Sequence, residues 1–131
     1  MDLLRKVLLA VFVSVAMFAT APATMAAGKI ENATAEEVSQ AIEDAISNSE
    51  KAVAAMQSGA DEDTVLGLLK ATKQASKRIE SNVVDRLRSK ANSRIAKSRS
   101  AFRKGDKEKA QALATEALDI FKEVKSKYHS F

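Results

Sequence analysis

Val38-Ser39-Gln40-Ala41-Ile42-Glu43-Asp44-Ala45-Ile46-Ser47-Asn48-Ser49-Glu50-Lys51-Ala52-Val53-Ala54-Ala55-Met56-Gln57-Ser58-Gly59 is the stretch from which the fold can be read. Val38, Ile42, Ala45, Ser49, Ala52 and Met56 are spaced alternately by four and three residues. That spacing puts them on one face of a helix, with Ala41, Ile46 and Val53 widening the stripe. Gly59 supplies a left-handed stop. Upstream, Thr34 can cap the first turn while Glu37 reaches back, as a capping box.

The stretch is written twice. A shift of 46 residues carries Val38, Ala45, Met56 and Gly59 onto Val84, Ala91, Phe102 and Gly105. A shift of 45 carries Asp61, Val65, Leu68 and Ile79 onto Asp106, Ala110, Leu113 and Val124. The one-residue gap falls in the loop. The unit is therefore a helical hairpin, duplicated, and two hairpins bury their stripes as an all-α four-helix bundle. Helices are predicted near 34–58, 62–80, 83–104 and 107–127. Val38, Ile42, Leu68, Leu69, Leu87, Ile95, Phe102, Leu113, Ile120 and Phe121 are expected inside. Gly67 in helix 2 marks an expected close helix contact. Ser81-Asn82 is expected to end helix 2 and cap helix 3; one continuous central helix, which would force a dimer, is the alternative. Lys104-Gly105-Asp106 followed by Ala110 is similar to one tetratricopeptide hairpin, but a period near 46 rather than about 34 argues against a solenoid.

The N-terminus reads as a secretory signal: Arg5 and Lys6, an apolar run from Val7 to Ala19 interrupted by Ser14, then small residues with Pro22 and Thr24-Met25-Ala26. Residues 1–26 are expected to be removed, with cleavage after Ala27 as the alternative, leaving a domain of 27–131. The apolar run is about 13 residues, against roughly 20 for a membrane span; a retained anchor is the alternative reading. The chain has no cysteine, which excludes a lipid-modified anchor and any disulfide. The expected location is the periplasm. Losing Arg5, Lys6 and Asp2 lowers the net charge from +4 to +3, a mild excess that does not call for nucleic acid.

The duplicated hairpin, the export signal and the length resemble the periplasmic small metal-binding protein family. The resemblance runs from about Val38 to Val124 and is carried by Ala41-Ile42-Glu43-Asp44-Ala45, Lys51-Ala52-Val53, and Gly105-Asp106 through Ala110, Ala114, Thr115, Glu116, Ala117 and Leu118. It implies the bundle fold and binding of divalent metal through repeated histidines. This chain holds one histidine, His129, so no tight copper or nickel site is expected.

Carboxylates are the remaining hard-cation ligands. Asp61, Glu62 and Asp63 crowd one loop, Asp106 and Glu108 the matching one, and together with His129 they form the candidate set for a divalent metal ion held weakly. The run lacks the alternation and glycine of an EF-hand loop, and helix capping is the competing use. Met56 lies on the seam and is expected to pack there. No nucleophile–base pair or phosphate loop is present, and the acids Glu36-Glu37 and Glu43-Asp44 sit at adjacent helix positions pointing apart. No enzymatic activity is expected.

Charge carries the second candidate site. Helix 1 has Glu36, Glu37, Glu43, Asp44 and Glu50 against Lys51, while helix 3 has eight bases from Arg86 to Lys104 against Asp85. Arg86, Lys90, Arg94, Lys97 and Lys104 fall within about 80° of one another at 100° per residue, and Lys77 and Arg78 prolong the stripe. Two uses compete: pairing with acidic helix 1 inside the bundle, or docking an acidic protein or an anionic membrane surface. Monomer and homodimer are both compatible with the pattern.

Overall fold

The computed structural model describes residues 34–130, and the expected signal segment with its expected cleavage site lies outside them. The elements are α1 Ala35–Gln57, α2 Glu62–Lys77, α3 Asp85–Arg103 and α4 Lys107–Tyr128, with no strand among the described residues. Each helix packs on its neighbours in the chain, and α1 closes the ring against α4; the diagonal pairs α1–α3 and α2–α4 do not meet. Short loops force antiparallel neighbours, giving an up-down-up-down four-helix bundle. The Tyr128 hydroxyl, donating to the Ala35 carbonyl at 3.3 Å, ties the end of α4 to the start of α1.

The duplication persists in the turns. After α1, the Gly59 N–H donates to the Met56 carbonyl and the Ala60 N–H to Ala55; after α3, Gly105 donates to Phe102 and Asp106 to Ala101. These are two Schellman closures, and Gly59 (φ 73°) and Gly105 (φ 85°) supply the left-handed residue each needs. The capping box at Thr34 forms as expected, with Glu37 Oε2 accepting from the Thr34 N–H at 2.8 Å and the Thr34 hydroxyl accepting from the Glu37 N–H at 3.2 Å.

The seam is built of small residues. Ala41, Ala45, Ala52, Ala75, Ala91, Ala110, Ala114 and Ala117 are buried, which lets helix axes come close around Ile42, Leu69, Ile79, Ile95 and Phe121. Val38, Ile42, Leu69, Ile95, Phe102, Ile120 and Phe121 are buried as expected. Leu68, Leu87 and Leu113 are only half-buried: alanine and serine at the central positions draw the axes together, and leucines just off the seam are left at its rim. Buried hydroxyls mostly find carbonyls. Ser49 donates to Ala45 at 2.6 Å, Thr72 to Leu68 at 2.8 Å, and Ser98 to Ala110 across the α3–α4 interface at 2.6 Å.

Three expectations about α2 and its exit are corrected. Gly67 is exposed, with open space where a Cβ would stand, so it marks no close helix contact. α2 ends at Lys77 rather than Glu80, because the Arg78 and Ile79 N–H groups tighten onto the carbonyls of Ala75 and Ser76. The N-cap of α3 is Val84, which makes no side-chain cap bond, instead of Ser81 or Asn82. The chain turns here because Ile79 and Val84 are both fully buried, anchoring the connection from each side. The two central helices are therefore separate, and the continuous-helix alternative is set aside.

Candidate functional site: the basic face of helix α3

The two candidate sites fare differently once the helices are placed. The α1–α2 and α3–α4 loops share one end of the bundle, which brings Asp61, Glu62 and Asp63 to the same end as Asp106 and Glu108. His129 follows α4, about 33 Å away along that helix at 1.5 Å per residue over its 22 residues. It cannot join those carboxylates, and its ring stands edge-on to Tyr128 at 5.5 Å between centroids. Among the described residues no three acids or imidazoles converge on a point where a metal ion could sit. The loop acids are occupied in helix starts: Asp106 accepts from the Lys109 N–H at 3.2 Å, Asp61 from the Thr64 hydroxyl, and Glu62, Asp63 and Glu108 lie in first turns. There they favour the positive end of each helix.

The basic stripe is placed on solvent. Arg86, Lys90, Lys97 and Lys104 are exposed, and Arg94 is half-buried, its Nε 3.0 Å from Glu116 of α4. Pairing with α1, the competing expectation, is overturned by topology, since α1 and α3 are diagonal. Two acids of α1 pair elsewhere: Glu43 with Lys125 of α4 at 2.6 Å, and Asp44 with Arg78 beyond α2 at 3.0 Å. On α3, Arg88 is bound by Asp85 one turn earlier. That leaves Arg86, Lys90, Lys97, Arg99, Arg103 and Lys104 without an ion pair among the described residues.

The structure adds a second row that the sequence reading did not separate from the first. At 100° per residue, Arg88, Arg99 and Arg103 lie on the side of α3 that faces α2, opposite the row of Lys90 and Lys97. Between the rows runs a strip of small exposed residues: Ser89, Ser93, Ala96 and Ser100. The absence of long side chains at those four positions was the signal available in the sequence. An open groove of about 410 Å³ lies on the α2 side, lined by Lys73, Ala96, Arg99, Ser100, Arg103 and Lys104. Another of about 670 Å³ lies on the α4 side, where Lys97, Lys104 and Lys109 outnumber the acids that are not already paired.

The contact between α2 and α3 is the sparsest in the ring. Among the described residues four buried side-chain polar atoms are left without partners: Ser76 Oγ, Arg88 Nε, Asn92 Oδ1 and Arg99 Nε. All four residues lie on flanks of α2 and α3 that turn toward one another, so this side of the bundle is both polar and loosely closed. Val83, at the foot of α3, is the one large apolar side chain that is exposed among the described residues. No described helix is long and apolar enough to cross a membrane. Comparison with protein-family models, with curated proteins and with solved structures finds no match to this chain.

Proposed function

We propose that this chain is an exported, non-enzymatic docking module that binds an acidic protein surface through α3. The observation that carries the reading is the set of six α3 cations with no ion pair among the described residues, on the helix diagonal to the acid-rich one. Helix caps and dipoles use charge only in terminal turns, so neither accounts for cations along the whole of α3. Two basic rows flanking a strip of small residues suit a rod-shaped or ridged acidic surface. A bilayer is the less favoured occupant, because stable membrane attachment uses apolar side chains and the outer face of α3 presents serine and alanine. Export to the periplasm rests on the signal-like residues 1–26.

Weak sequestration of a divalent cation, which the resemblance to the periplasmic small metal-binding proteins implies, is the reading with less support. Its carboxylates sit at the starts of two different helices, where Asp106 caps α4 and Glu62, Asp63 and Glu108 lie in first turns.

The test replaces Arg86, Lys90, Arg94 and Lys97 with glutamine and compares binding to polyglutamate and to anionic vesicles. Binding of the wild-type protein to polyglutamate at low salt, reduced at least fivefold in the variant, supports the reading. Equal binding by both proteins removes it, and binding to vesicles alone transfers it to a membrane surface.

A further inference from the structure

We infer that a second copy of this chain is one occupant of the α3 face, docking the acidic outer row of its α1 there. The inference rests on the reading of α3 as a docking face and names a partner for it. Glu36, Glu43 and Glu50 are spaced seven residues apart on α1, as Lys90, Lys97 and Lys104 are on α3. Seven residues fall 20° short of two full turns, so each trio forms one row along its helix, with steps of about 10.5 Å. Equal steps let three acid–base pairs form in a single register, in either helix direction.

Both rows are accessible. Glu36, Glu50, Lys90, Lys97 and Lys104 are exposed, and the Glu43 side chain is 46% exposed. Small side chains lie beside each: Ser47 and Ala54 on α1, Ser93 and Ser100 on α3. Two helix backbones can therefore approach without long side chains intervening. Glu43 is held by Lys125, but both side chains are largely exposed, and a solvent-facing pair of that kind exchanges readily for another. Lys51 is the single base on α1 and lies toward the Asp44 flank, off the acidic row.

The rows cannot meet within one molecule, because α1 and α3 occupy diagonal corners. Each row leans toward the α4 flank of its own helix: Glu43 reaches Lys125 of α4, and Lys97 and Lys104 line the α4-side groove. The contact sets unlike surfaces together, the acidic row of one copy against the basic row of the other. With no large apolar side chain in either row, the association is electrostatic, and salt weakens it.

Sedimentation velocity of the purified chain over a concentration series, at low and at high salt, tests this. The variants are Glu36→Lys/Glu43→Lys/Glu50→Lys and Lys90→Glu/Lys97→Glu/Lys104→Glu. The wild type is expected to associate at low salt and dissociate at high salt. Each variant alone is expected to lose at least tenfold in apparent association, and an equimolar mixture of the two to recover it, since each then offers the charge the other lacks. If a reversal impairs folding, the corresponding glutamine triple variant is read in its place and must show the same loss. A wild type that stays monomeric, a variant that associates like wild type, or a mixture that fails to associate overturns the inference. A monomeric wild type that still binds polyglutamate through α3 overturns self-docking while leaving the docking reading in place.

Discussion

Arg94 Nε lies 3.0 Å from the Glu116 carboxylate, and among the described residues this is the one ion pair that joins the basic rows of α3 to an acid on another helix. Glu116 is more than half exposed, so the pair is a surface interaction worth at most about 1 kcal/mol. Glu116→Gln should leave thermal unfolding almost unchanged and strengthen binding to polyglutamate, because it releases a further cation into the α4-side groove. Unchanged binding in a titration at low salt would show that this groove takes no part in docking.

Phe121 is fully buried and Phe102 nearly so. Truncating either to alanine should cost about 3–5 kcal/mol in urea unfolding. Leu87→Ala should cost less, since Leu87 sits at the rim. A Leu87 loss equal to that of Phe121 would contradict the description of an alanine seam with leucines outside it.

Ser98 and Ser76 offer a matched contrast. Both are buried, but the Ser98 hydroxyl donates to the Ala110 carbonyl while Ser76 Oγ has no partner. Ser98→Ala should destabilise by about 0.5–1.5 kcal/mol, and Ser76→Ala should be neutral or stabilising, because it removes a buried polar group that makes no bond. Parallel chemical denaturation of the two variants checks the order; the reverse order would place a hydrogen-bond partner on Ser76.

Gly59 and Gly105 hold equivalent left-handed positions, and neither would bring an added Cβ within 4 Å of a neighbour. Alanine at either site should therefore cost only the backbone conformation, about 1–2 kcal/mol. Similar losses at the two sites, measured by thermal melts, are expected of a duplicated hairpin. A much larger loss at one would mean that the two turns carry different loads.

Much of this architecture was legible in the sequence. The four–three spacing from Val38 to Met56, its repeat 46 residues on, and the glycine closing each copy specify helix, hairpin and bundle. The sequence did not disclose which helices are diagonal. Acidic α1 and basic α3 look complementary when written in a line, and only the ring order shows that they cannot pair. The exit of α2 was misread because Ser81-Asn82 has good capping chemistry, whereas burial of Ile79 and Val84 decides where the chain turns. The placement of the metal candidates was not legible either. Asp61 and Asp106 are spaced like the repeat itself, and the repeat uses them to start helices, while His129 is carried to the far end of the bundle.

As proposed above, the cations of α3 form a docking face and not merely a solvated one. Its most direct measurement is the salt dependence of polyglutamate binding, compared between wild type and the variant with glutamine at Arg86, Lys90, Arg94 and Lys97. Screening extends to roughly 8 Å at physiological ionic strength. Wild-type binding at low salt is expected to fall steeply as salt rises, while the variant keeps its helical content and melting temperature but binds at least fivefold more weakly with a flatter salt slope. Equal affinity and equal salt slopes for the two proteins would contradict it.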